Sequence, residues 1–270
     1  MKDCVVTNPD PSPTLPPTYH DRTGHILPTT QLPLQLQLDR LAELCNTQDM
    51  VINTGKSKVM IFNPSRHYDC TPKLTLPGMG GEYLEVVESF KLLGVIIRTD
   101  LKWCDNTDFI CQKGYSRLWM LRRLKGLGAT LDEMLDVYQK QVRSVLEMAV
   151  PVWHPALTLK ETKQIERIQK CAFYIILGGG YISYKNVLEI FEIESLEKRR
   201  AKICEKFAMK CFKSPRFSTW FYLNDHAETP HNTRSHKRPL RAVNTRTQRY
   251  RNSTLPYLTE ILNNHLSKKN

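Results

Sequence analysis

The segment FICQKGYSRLWMLRRLKGLG, Phe109 to Gly128, sets Lys113, Arg117, Arg122, Arg123 and Lys125 around Tyr115 and Trp119, the two rings standing at an i, i+4 spacing. On a helix, Ile110, Leu118, Leu121 and Leu124 would face a core and leave the cations and rings over the remainder. Guanidinium and ammonium groups interleaved with aromatic rings suit a phosphate backbone and the face of a base or sugar. The competing reading of the same pattern is an ordinary solvated helix face with a core tryptophan.

Catalytic chemistry has fewer candidates. A two-metal nucleotidyl-transfer site needs adjacent carboxylates on a tight turn, clamping two cations about 4 Å apart. Asp69, Asp100, Asp105 and Asp108 are each isolated and read as turn or helix-cap residues. His226, His231 and His236 recur every five residues, which matches no helix face and no metal-ligand spacing. There is no nucleophile elbow. Gly178-Gly179-Gly180 follows a helical pattern rather than opening one, so it caps a helix and does not cradle phosphate. The eight cysteines form no CxxC and read as reduced thiols. Taken alone, the sequence shows no catalytic centre.

The charge balance favours an anionic partner. Of 270 residues, 39 are Lys or Arg and 27 Asp or Glu, a formal charge of +12. Thr229 to Thr259 holds no acid and contains Arg234, Lys237, Arg238, Arg241, Arg246, Arg249 and Arg251. The longest apolar run, Ala172 to Leu177, falls far short of the ~20 residues a membrane span needs. The opening MKDCVVTNPDPSPTLPP has no apolar core of a signal peptide. The expectation is a soluble intracellular protein, nuclear or cytoplasmic, with no membrane partner.

Several elements must position these residues. Residues 1–30 are Pro-rich and read as a disordered lead. Leu34, Leu38, Leu41 and Leu44 recur at helical spacing. Strands are expected at Val59–Ile61, at KLTLPG, at EYLEVVES and at Leu92–Ile97, the last interrupted by Gly94. Helices follow: one through Leu131, Met134, Tyr138, Val142 and Leu146, entered by a Thr130/Glu133 capping box; the next with the same Thr158/Glu161 signal. Shorter helical patterns lie around Val187 and from Leu196 to Ala208. The fold class is α+β: a small antiparallel block over 31–104, a mostly α-helical region over 105–222, and a basic, poorly ordered tail over 223–270.

Read together, RTGHILP, MVINTGKSKVMIFNPSR, EVVESFKLLGVIIRTDLKW, SRLWMLRRLKGLGA, VYQKQVRSVLEMAVPVWHPALT, IERIQKCAFYIILGGGYISYKNVL, LEKRRAKICEKFAMKC and TRTQRYRNSTLPYLTEILN resemble, in order and spacing, the reverse transcriptase of non-LTR (LINE-type, jockey-like) retrotransposons. The similarity runs from about residue 22 to 263 and covers that family's C-terminal portion: the end of the palm, the thumb and the region beyond. INTGKSKVMIF is similar to the late palm motif whose lysine lies near the incoming nucleotide; Lys56 is the best match and Lys58 the alternative. FKLLGV, which contains Lys91, resembles the strand-turn that grips the primer end. The resemblance implies an RNA/DNA template-primer partner, and contacts from Lys56, Lys58, Lys91, Arg117, Trp119, Arg122, Arg123 and Lys125.

The complete family enzyme is an RNA-directed DNA polymerase that uses two Mg²⁺ ions. Its aromatic-x-Asp-Asp motif precedes all of this, and here in the corresponding place Asp3 has no aspartate beside it. The chain is therefore expected to carry no metal ligand, and no catalytic residue beyond a nucleotide-proximal Lys56. The alternatives are a non-catalytic nucleic-acid-binding protein and a degenerate gene-model fragment. The FKLLGV…LRRLK region is also similar to an N-terminal segment of AlkB-homologue tRNA-modifying proteins. No His-x-Asp…His iron arrangement accompanies it.

Overall fold

The computed structural model describes residues 31–62, 73–77, 80–224 and 238–267. The Pro-rich lead, Asp69, Arg234, Lys237 and the three histidines spaced by five lie outside these. The chain separates into two compact units, Met1–Glu88 and Ser89–Asn270.

In the first unit, helix α1 (Gln31–Thr47) precedes a 3₁₀ turn at Thr54–Lys56, whose entry is capped by Asn53. Three strands were expected between Val59 and Glu88; this is corrected. Among the described residues there is one isolated parallel bridge, Val59 to Val86, and a single hydrogen bond from Leu84 N to Leu74 O at 2.7 Å. For the strand expected at KLTLPG the physical reason is at Thr75. The Gln35 side chain accepts from Thr75 N at 3.0 Å and donates to Thr75 O at 3.0 Å, the two bonds a neighbouring strand would make. The core here is small: Leu74, Leu76 and Leu84, with Leu38, Ile52 and Val59 against them.

The second unit opens with the one sheet among the described residues. β1 (Ser89–Leu92) and β2 (Val95–Arg98) pair antiparallel, Leu92 opposite Val95. The expected single strand with a glycine inside is thus a hairpin folded about that glycine. Its two central residues, Leu93 and Gly94, have φ of 48° and 86°, the combination a two-residue turn needs to match strand twist. A Cβ on Gly94 would lie 2.6 Å from Met148 Cε, so the turn sits directly on the helical body. Ile96 N donates to Asn106 Oδ1 at 3.1 Å, and Arg98 bridges Asp100 and Asp105 at 3.0 and 2.9 Å. Burial pushes the Asp100 carboxyl up, but the Lys102 amide and the Arg98 guanidinium together outweigh it and hold the pKa down to about 2.

Helix α2 (Cys104–Gly126) is the axis of this unit. The pattern from Leu131 onward becomes α3 (Leu131–Val137), a π-helical stretch at Tyr138–Arg143, and α4 (Ser144–Leu146). Met134, Tyr138, Val142, Leu146 and Val150 are all buried and stand four residues apart. In an α-helix that interval overshoots a turn by about 40° each time. The wider i→i+5 turn takes up more residues and keeps the stripe on the core. Ala149 then adopts φ 52°, turning the chain into α5 (Val150–Trp153). Both capping boxes form, at Thr130/Glu133 and at Thr158/Glu161, the latter opening α6 (Leu159–Leu177). α7 (Tyr184–Ile190) and α8 (Leu196–Lys213) follow.

Residues beyond 223, expected as a poorly ordered tail, include α9 (Gln248–Arg251) and α10 (Thr254–Ser267). α10 packs on α8 and α5, and Leu240, Leu258 and Leu262 are fully buried. Asn263 fixes the approach by accepting from Leu240 N at 2.8 Å and donating to Leu240 O at 3.2 Å.

A polar chain runs through the core. Tyr138 donates to Gln169, Gln169 donates to Tyr184 Oη at 2.9 Å, and Tyr184 donates to Glu166. Glu166 accepts from the first amides of α8, Leu196 N at 3.1 Å and Glu197 N at 3.2 Å, where a carboxylate suits the helix dipole. Arg200, on α8, is fully buried. Its Nε donates to His154 Nδ1 at 3.3 Å, while Nη1 and Nη2 have no hydrogen-bond partner among the described residues. Burial outweighs the attraction of Glu166, Glu197 and Glu147, so the guanidinium opposes folding. Arg200→Met, of similar length, is expected to stabilise by about 1–4 kcal/mol, seen as a higher denaturant midpoint at unchanged slope.

His154 gives the unit a pH dependence. Burial first, then the Arg200 charge, push its pKa from 6.5 down to about 4. Between those values the unfolded chain binds a proton that the folded chain does not, so stability falls as pH drops through this window. Thermal melts across pH 7 to 4 should show that decline, and His154→Gln should flatten it.

Candidate nucleic-acid interface

α2 and α6 run parallel. Near their starts Gln164 donates to Asp108 at 2.7 Å, in the middle Gly114 meets Ile168, and at the ends Lys125 Nζ donates to Ile175 O at 2.7 Å and Ile176 O at 3.3 Å. Ile110, Leu118 and Leu121 take the buried side of α2. Since successive residues turn by about 100°, Tyr115, Trp119, Arg122 and Arg123 fall within one outward arc of similar width. Trp119 is 59% exposed and Tyr115 39%. The tryptophan is therefore not a core residue. The buried indoles of this unit are Trp103 and Trp153, the latter donating to Met148 O at 2.9 Å.

The eight candidate residues divide by what else they touch. Arg122 and Arg123 are exposed, with no acidic partner among the described residues. Lys125 spends its ammonium on the last carbonyls of α6, so its charge serves that helix end. Arg117 lies around the helix from Trp119 and donates to Gln141 O. Lys91, on β1, lies over the Phe109 ring at 4.5 Å, and Lys113 lies over the same ring at 4.4 Å. Lys56 and Lys58 belong to the first unit. Lys56 is exposed at the end of the Asn53-capped turn, and Lys58 pairs with Glu85. The second unit thus brings Trp119, Arg122 and Arg123 together, with Arg117 and Lys125 on other sides of the same helix.

Sequence reading missed the neighbouring stripe on α6. Lys160, Lys163, Arg167, Lys170 and Tyr174 are all exposed. Their spacing of three, four, three and four is the helical period, opposite the buried Ile165, Ile168, Ala172 and Ile176. The signal is present in the sequence as the polar complement of the apolar stripe. Tyr115 bridges the two stripes. Burial against α6 raises its phenol pKa, Cys171 adding to the shift and Arg167 opposing it. Parallel α2 and α6 consequently present one face of rings and cations: Tyr115, Trp119, Arg122 and Arg123 from one, Arg167 and Tyr174 from the other.

Two carboxylates do come together, Asp100 and Asp105, but the Arg98 guanidinium lies between them. They do not fit a pair of Mg²⁺ ions. Among the described residues, no group of three or more His, Cys, Asp or Glu side chains is placed to hold a metal, and no helix is long and apolar enough to cross a membrane. No family model matches the chain, and neither a curated protein nor a solved structure matches it.

Proposed function

We propose that this chain is the nucleic-acid-gripping part of a reverse transcriptase of the non-LTR, jockey-like type. In this reading the β1–β2 hairpin is the strand-turn beside the primer end, and the helices from α2 onward are the thumb. The partner is an RNA/DNA template-primer, and the chain alone does not synthesise DNA. The observation that carries the reading is the exposure of Trp119 beside Arg122 and Arg123 on a helix anchored through Ile110, Gly114, Leu118 and Leu121. A large ring held in water by a rigid element costs hydration that a base or sugar face would relieve, and the adjoining guanidinium groups can each pair with a phosphate. Polymerase chemistry rests on metal-borne stabilisation of the transition state, and the residues present do not fit the metals.

Two measurements test this. In filter binding or anisotropy with an RNA/DNA primer-template, Arg122→Glu with Arg123→Glu should weaken binding and lower the salt slope by about two, one phosphate contact per residue. The melting temperature should stay put, because neither side chain packs in the core; Lys125 is left alone because its loss would uncap α6. Unchanged affinity and slope would overturn the assignment of this face. Primer extension by purified chain with Mg²⁺ should give no incorporation above a buffer blank, and any templated product would refute the inactivity.

A further inference from the structure

At the other end of the same two helices lies a cavity of about 470 Å³, within the size range of small-ligand sites. One wall is apolar, made by Leu101, Trp103 and Ala156. Three cations from three elements reach it: Lys102 after the hairpin, Lys160 in the first turn of α6, and Arg249 on α9. Lys102 is engaged by Asp100 at 3.3 Å. Lys160 and Arg249 have no acidic partner among the described residues. The two carboxylates at the rim are already committed, Asp108 accepting from Gln164 and Glu161 closing the α6 capping box. Both keep their charge at the rim, but neither forms an ion pair with Lys160 or Arg249. The amides of Gln164 and Asn252 complete the lining.

We propose that this cavity binds a nucleotide. Its phosphate sits between Lys160 and Arg249, its sugar and base lie along the Leu101–Trp103–Ala156 wall, and the Gln164 and Asn252 amides meet the polar edge of the base. Two unpaired cations beside an apolar wall fit a ligand that is anionic at one end and flat and apolar at the other, which an inorganic anion is not. The site is separate from the face on α2. Asp108 and Arg122 are fourteen residues apart on one helix, about 20 Å along its axis. The same chemistry is offered by a free mononucleotide and by the 5′-terminal nucleotide of a strand.

Calorimetry on the full chain with AMP, and with a 5′-phosphorylated trinucleotide, separates these sources. Lys160→Ala with Arg249→Ala should weaken binding about tenfold without changing the melting temperature, since both residues are exposed. Loss for AMP identifies a free-nucleotide site; loss for the trinucleotide alone identifies a strand end. Arg122→Glu with Arg123→Glu should leave AMP affinity as it was, which keeps this site distinct from the other face. Binding of neither ligand at about millimolar concentration, or binding of both unaffected by the double variant, overturns the proposal. So does displacement of AMP by an equal concentration of orthophosphate, which would leave an anion site only.

Discussion

The helical unit depends on how closely three helices approach at Gly114. A Cβ there would come within 2.9 Å of Leu146 Cδ2 and 3.1 Å of Ile168 Cδ1, so α2, α4 and α6 meet where a side chain has been left out. A glycine inside a helix costs roughly 0.5–1 kcal/mol relative to alanine, and here that cost purchases contact between α2 and two neighbours at once. With α2 seated this deeply, its rotation is set. Ile110, Leu118 and Leu121 are pinned inward, so Tyr115, Trp119 and Arg122 have only one direction in which to point. The exposed rings follow from the close approach.

A second constraint keeps the other side of α2 in register. The π-helical stretch holds the Met134-to-Leu146 stripe on the core, and Tyr138 within it starts the hydrogen-bonded chain through Gln169 and Tyr184 to Glu166. Each member of that chain satisfies the next, as buried polar groups must. It ends on the first amides of α8, so the start of that helix is tied to the middle of α6. α8 is tied to α4 and its neighbours as well, through Arg199 and Glu147. The same helix then offers α10 its packing surface. A sequence of local satisfactions, each between residues far apart in the chain, carries order from the hairpin to residues beyond 250.

Much of this was legible from local rules and the rest was not, for physical reasons. The capping boxes at Thr130 and Thr158 and the apolar stripes of α3, α6 and α8 depend on residues within four of one another, and sequence shows them directly. The Leu93-Gly94 turn was misread as a break in one strand because leucine is a poor residue for positive φ, although the pair is the shortest loop that reverses a chain. The strand expected at KLTLPG failed because a partner strand's place at Thr75 is filled by a side chain from α1, a contact forty residues away. α10 was masked by the basic run before it; Leu258 and Leu262 are at helical spacing, but their burial needs α8. At the interface, spacing named the right helix and could not say that Lys125 would cap another one.

The last step concerns charge. A formal +12 treats every lysine and arginine alike, and the structure divides them by occupation. Arg98 is shared by two aspartates, Arg199 is held by Glu147, Lys125 serves carbonyls, and Arg200 is sealed in the core. A cation already paired at short range has little potential left to offer a polyanion, because the near opposite charge cancels it within a Debye length. What an anionic partner meets is the unpaired remainder, which includes Arg122 and Arg123 towards one end of the α2–α6 pair, Arg167 at its middle, and Lys160 and Arg249 at the other end. Arg249 lies on α9, whereas Arg122, Arg123, Arg167 and Lys160 lie on α2 and α6, whose relative position is fixed by Gly114. The separation of Lys160 from Arg122 and Arg123 is then a rigid property of the fold, and an anionic ligand reaching both ends must span it along the helix axes.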